Sequence, residues 1–89
     1  MTTASLVAPR SIRQQVLRVI GRRKRLQPHR LRLHFHLSRE LCFDLLDVVD
    51  IILELESRFH ITIPDEVPLV TVGDVVDYVA AATLGFIRR

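Results

Sequence analysis

Asp44 and Asp47 frame the stretch Leu41-Cys42-Phe43-Asp44-Leu45-Leu46-Asp47-Val48-Val49-Asp50, which runs on to Phe59 without a glycine or proline. Asp44 is a good N-cap because its carboxylate can accept from the unpaired N–H groups of a first helical turn. Asp47, three positions on, completes a capping-box pattern. The pair predicts a helix that starts at Leu45.

At 3.6 residues per turn, Asp47, Asp50, Glu54, Ser57 and Arg58 share a polar side, and Val48, Ile51, Ile52, Leu55 and Phe59 form an apolar one. A second apolar strip is left over, containing Leu45, Leu46, Val49 and Leu53, with Glu56 projecting into it. A carboxylate is seldom buried without a partner, so this strip is expected to be a half-exposed contact surface. The alternative is a bundle that wraps further round, with Glu56 reaching out to water.

Two further helices are expected on either side. Ser11 and Gln14 form a capping box, after which Ile12, Val16, Val19 and Ile20 recur on one face with Gln14, Gln15, Arg18 and Arg22 opposite, ending between Gly21 and Arg25. Thr71 and Asp74 form another capping box, followed by Val72, Val75, Val76 and Val79 up to Gly85. Between the first two helices the chain loses periodicity and contains Pro28, His29, His34 and His36 among arginines. Leu31, Leu33, Phe35 and Leu37 alternate with polar residues there, but only Ile61-Thr62-Ile63 offers a partner strand. An extended loop pinning Leu33, Phe35 and Leu37 onto the core is therefore predicted. Asp65 and Glu66 favour a short helical turn before Pro68. Residues 1–10 and 85–89 read as flexible tails around a single bundle domain at 11–84.

Composition bounds the function. Eighty-nine residues make one small domain, and 48% hydrophobic residues can fill its core. One cysteine excludes an internal disulfide framework and makes a reducing compartment the default. No apolar run approaches a membrane span or the core of a signal peptide, so a soluble, cytoplasmic protein is expected. The acid-free first third is also the composition of a transit peptide, but its residues are needed to close the bundle.

The net charge of +3 hides a segregation: residues 1–39 carry ten Lys and Arg and no acid, while all ten acids lie from Glu40 onward. The basic patch Arg22, Arg23, Lys24 and Arg25, with Arg30 and Arg32, could meet nucleic acid or an anionic membrane surface. Against this, Phe35 is the only nearby aromatic and the acidic half would repel phosphate, so nucleic acid is disfavoured. Contact with another protein's acidic face, or self-association between opposite charge patches, accounts for both halves together. His29, His34, His36 and Cys42 lack metal-ligand spacing, and no nucleophile, base and orienting acid come together, so neither a metal site nor an enzyme is expected.

The stretch from Leu41 to Asp50 resembles the recognition helix of acyl carrier proteins, whose signature is Leu-Gly-x-Asp-Ser-Leu followed by an acidic and aliphatic helix. Leu41, Asp44, Leu46 and Asp47 stand where that pattern wants them. Phe59-His60-Ile61-Thr62-Ile63-Pro64-Asp65-Glu66 is similar to the family's Phe-x-Ile-x-Ile-Pro-Asp-Glu link, and Thr71 to Val79 to its last helix. The resemblance implies an all-α bundle of three longer helices and one short one, four in total, in fatty-acid, lipid or polyketide biosynthesis.

Two positions depart from the pattern. The family's serine, whose hydroxyl becomes the phosphodiester of 4′-phosphopantetheine, is Leu45 here, and its glycine is Cys42. Leucine has no nucleophilic oxygen, so the family's chemistry cannot occur at this position and no phosphopantetheine is expected there. The first expectation is a module that docks on synthases or transferases through Asp44, Leu45, Leu46, Asp47, Val49, Asp50, Leu53 and Glu56, the acids of this set, with Glu54, resembling the surface carriers turn to basic patches. The alternatives are a carrier modified at another residue, with Ser38 and Ser57 as hydroxyl candidates, and a polyanion binder acting through the arginine-rich loop.

Overall fold

A computed structural model of the chain describes residues 10–85. They form an all-α bundle of three helices, α1 (Arg10–Lys24), α2 (Leu45–Phe59) and α3 (Val72–Thr83), with one 3-10 turn at Pro28–Arg30 in the long α1–α2 connection. The expected tails at 1–10 and 85–89, Arg10 and Gly85 apart, lie outside the described residues.

Each α-helix turns an aliphatic face inward. Ile12, Val16, Val19 and Ile20 of α1 are buried as their spacing predicts, against Ile51 and Leu55 of α2 and Val72, Val75, Val76 and Val79 of α3. The side chains that lose all contact with solvent are aliphatic, and among the described residues no polar or charged residue is buried. Placing every charge outside avoids the desolvation that an unpaired buried carboxylate or guanidinium would cost.

The helix starts divide by how local their signals are. Asp44 and Thr71 act as N-caps with complete capping boxes: Asp47 N–H donates to Asp44 Oδ1 at 2.9 Å, and Asp74 N–H donates to Thr71 Oγ1 at 3.1 Å. Ser11 does not cap α1. The helix is already under way at Arg10, and Ser11 lies inside it. Arginine is a better helix former than serine, so nothing local stops the helix from taking in one more residue.

The α1–α2 connection departs most from its expected form. Leu31 and Leu37 are buried and Phe35 is half-buried, but Leu33 is 44% exposed and is not pinned into the core. Its backbone is held instead, since Gly73 N–H donates to the Leu33 carbonyl at 2.8 Å. Val72 N–H donates to Phe35 O and Leu37 N–H to Val70 O, both at 2.9 Å, and His36 faces Thr71 in an isolated antiparallel bridge. The partner of the alternating segment is thus the lead-in to α3, not Ile61–Ile63. Pairing satisfies backbone groups that would otherwise be left unmet beside the core.

The short element also lies elsewhere than expected. Residues 64–67 make a single turn, closed by Val67 N–H donating to Pro64 O at 3.2 Å, and the only short helical turn among the described residues is Pro28–Arg30. Pro28 opens that turn, where its missing N–H costs nothing.

Gly21 lets the chain leave α1 sharply. Leu26 N–H donates back to Gly21 O at 2.8 Å, Arg25 takes a left-handed φ of 58°, and a Cβ on Gly21 would lie 2.5 Å from the Leu26 carbonyl oxygen. Alanine there gains about 1 kcal/mol of helix propensity. It also forces a backbone oxygen to move, an overpacking that costs about 1–3 kcal/mol. Gly21→Ala is expected to lower the urea midpoint, and an unchanged or raised midpoint would show that the 21–26 turn yields freely.

Candidate functional site

The site is built on the first three turns of α2. Two aspartates exchange bonds at its start: Asp44 N–H donates to Asp47 Oδ2 at 3.2 Å while Asp44 Oδ1 receives Asp47 N–H. This locks Leu45 and Leu46 into the first turn. They stand 76% and 71% exposed, and Leu53 at 56% and Val49 at 40% continue the strip, which is therefore not part of the core. Beside them an open groove of about 360 Å³ runs between α2 and the 64–69 segment, lined by Leu45, Val48, Val49, Ile52, Val67 and Leu69 among others.

Glu56 does not stand free in that strip, nor does it simply reach for water. Its Oε2 accepts from Ile63 N–H at 2.7 Å, so it tethers the Ile61–Ile63 link to the end of α2. The signal in the sequence was the position of one acid among apolar neighbours seven residues ahead of Ile63. That spacing fits a side chain folding over the helix C-terminus, where His60 supplies the left-handed cap with φ 57°.

The acidic and basic patches, separated in sequence, meet in space. At the end of α1, Arg22 pairs with Glu54 at 2.8 Å, Arg23 with Asp47 at 2.9 Å and with Asp50 at 2.8 Å, and Lys24 with Asp47 at 3.6 Å. Arg58 adds a second cation on Glu54 at 3.3 Å, and Lys24 Nζ lies 5.4 Å from the centre of the Phe43 ring. The basic and acidic halves that are segregated along the sequence therefore close on each other along this edge. Arg25, Arg30 and Arg32 are exposed beyond it.

These contacts shift ionisation. Backbone donation from Asp44, then the Arg23 guanidinium, holds the Asp47 carboxyl below its ordinary value, and the hydrogen bond to Asp47 raises Arg23. Backbone donation from Thr71 likewise lowers Asp74, and donation from His36 N–H lowers Glu40.

Cys42 keeps a left-handed backbone, φ 56°, of the kind glycine adopts most easily, and its exposed thiol reaches toward Arg39 O at 3.5 Å. Among the described residues no three His, Cys, Asp or Glu side chains converge as a metal site would need, and no helix is long and apolar enough to cross a membrane.

Comparison with known proteins places this arrangement. The acyl carrier protein of Amoebophilus asiaticus is 38% identical over 69 residues, covering 75% of this chain and 86% of that protein. That of Wolinella succinogenes is 34% identical over 71 residues, covering 78% and 93%. The solution structure of an acyl carrier protein from Anaplasma phagocytophilum matches with a TM-score of 0.74 at 31% identity, over 84% of this chain and 91% of that one. An apo doublet acyl carrier protein from prodigiosin biosynthesis shares the fold, with a TM-score of 0.67 at 23% identity over 78% of this chain and 34% of that one. No family profile matches the chain. With relatives of this identity and coverage, the chain belongs to the acyl carrier protein family.

Two measurements check the site's construction. Glu56→Ala leaves the Ile63 N–H without its charged acceptor and is expected to cost about 1.5–3 kcal/mol of stability in urea unfolding. A loss below about 0.5 kcal/mol would mean that water replaces the tether. The acid limb follows from the lowered carboxylates: folded Asp47, Asp74 and Glu40 hold protons less readily than in the unfolded chain, so their contribution is complete at neutral pH. It declines as the pH nears the ordinary aspartate value of 3.8 and is lost progressively below it. Asp74→Asn is expected to flatten that decline in pH-dependent melts, and an unchanged slope would assign it to other groups.

Proposed function

We propose that this chain is an acyl-carrier-like module of fatty-acid, lipid or polyketide assembly that carries no 4′-phosphopantetheine at the family's usual position and acts by docking on pathway enzymes such as synthases or transferases. Leu45 carries the reading. It is the residue after the N-cap aspartate, where the resemblance puts the attachment serine, and it presents a bare hydrocarbon to solvent. A phosphodiester needs an oxygen nucleophile held in line with the phosphorus, and a leucine supplies none. Such a protein is not a catalyst, and what it offers a partner is surface.

Leu45, Leu46, Val49 and Leu53 supply the apolar centre of that surface, with Asp44, Asp47 and Asp50 at its edge and Glu56 holding the link beneath it. An apolar centre inside a polar rim is the usual anatomy of a protein–protein contact.

The test is the intact mass of the protein before and after incubation with coenzyme A, magnesium and a broad-specificity phosphopantetheinyl transferase, beside a carrier known to be modified. No gain is expected for the natural chain. Gain of one phosphopantetheine, mapped by fragmentation to Ser38, Ser57 or another residue, would replace the docking reading with that of a carrier modified elsewhere. Leu45→Ser is expected to gain one unit, and its failure beside the working control would remove Leu45 from the attachment position.

A further inference from the structure

We infer that Arg22, Arg23 and Lys24 are a built-in counter-surface that occupies the acidic stripe of α2 and closes it to basic partners, so that the chain selects partners through its apolar strip. The inference rests on the docking reading above and names the kind of partner that surface turns away.

Sequence spacing alone leaves Asp44, Asp47, Asp50 and Glu54 as an acidic edge open to any basic surface. The fold brings the end of α1 alongside that edge. Arg22 lies on Glu54, Arg23 bridges Asp47 and Asp50, and Lys24 reaches Asp47, across a shallow cleft floored by Val19 and Ile51. With Arg58 on Glu54, four cations pair with three carboxylates within a single patch, and Asp44 adds its charge nearby. The end of α1 and the middle of α2 are anchored by Val19, Ile20 and Ile51 in the core, so the opposite charges stay close even when a given pair opens.

Magnitudes decide what the pairs are for. Exposed ion pairs contribute little to stability. Steering of a partner depends on summed charge seen from a distance, and at physiological ionic strength that distance is about 8 Å. The pairs, at 2.8–3.6 Å, lie well inside it. An approaching basic protein therefore meets a balanced patch and gains no acceleration, whereas an uncovered acidic edge would raise encounter rates by a factor of about 10 or more. To use Asp47 or Asp50 directly, the partner would have to displace Arg23, exchanging one guanidinium contact for another with no net gain.

The experiment compares binding of a synthetic amphipathic helical peptide of leucine and lysine to the natural chain and to the Arg22→Gln/Arg23→Gln/Lys24→Gln variant, at about 50 mM and about 200 mM salt. The natural chain is expected to bind weakly with a shallow salt response. The variant is expected to bind about tenfold tighter at the lower salt and to lose most of that gain at the higher. Binding within about twofold for the two proteins, with the same salt response, would overturn the counter-surface and leave the docking reading standing. No binding by the folded variant even at low salt would remove α2 as a docking surface and overturn both. Helicity by circular dichroism establishes folding. Should the triple variant unfold, Arg23→Gln, which frees Asp50 and part of Asp47, carries the same comparison with an expected gain of about threefold.

Discussion

The carboxylate of Asp47 is the interaction on which the site depends. One oxygen closes the capping box on Asp44 N–H and the other receives the Arg23 guanidinium, so a single side chain sets both the first residue of α2 and the position of the end of α1 against it. Were α2 to begin one turn later, Leu45 and Leu46 would belong to the preceding loop and the exposed strip would lose half its length. Both contacts hold the carboxyl below its ordinary value, backbone donation first and the guanidinium second.

A core that is aliphatic but for Phe43 explains why so much chemistry sits on the rim. Val16, Ile20, Leu55, Val72, Val76 and Val79 fill the centre of the bundle without a single hydrogen-bonding side chain. Such a core gives cohesion but little geometric instruction, since aliphatic groups of similar volume can exchange places at small cost. Register is then imposed from outside: by two capping boxes, by Glu56 on Ile63 N–H, and by the bridge between His36 and Thr71. Each is a polar contact at the edge of the apolar mass, where losing it leaves a backbone group unpaired.

What could be read from the residues, and what could not, follows the range of each interaction. The caps at Asp44 and Thr71 span three residues and were legible, as were the inward faces of all three helices. Ser11 misled because a cap competes with the residues before it, and Arg10 favours helix. The docking of 33–37 on 70–73 joins segments some thirty-five residues apart, and no periodicity within either announces the other. Leu33 shows the cost of this: an alternating pattern places it inward, yet its carbonyl, not its side chain, is what the fold uses. The closure of the basic cluster onto the acidic stripe was hidden for the same reason, because it depends on how α1 crosses α2. For the exposed strip the clue was Glu56, an acid that made full burial of its neighbours implausible, although its own bond to Ile63 required the chain reversal at His60 to be known.

The link between α2 and α3 carries one more contact, from the hydroxyl of Tyr78 to the carbonyl of Thr62 at 3.3 Å. Tyr78 is the sole tyrosine and the chain has no tryptophan. Its ring is therefore the dominant intrinsic fluorophore, and it sits against the segment that borders the apolar groove. Emission from this protein is accordingly a local signal: it reports whether the 61–64 link is seated on α3, and it changes when that link lifts even while the helices remain wound. A spectroscopic melt followed at the tyrosine and one followed at the peptide bond thus view different parts of the molecule, and any separation between them dates the opening of the groove relative to the loss of the bundle.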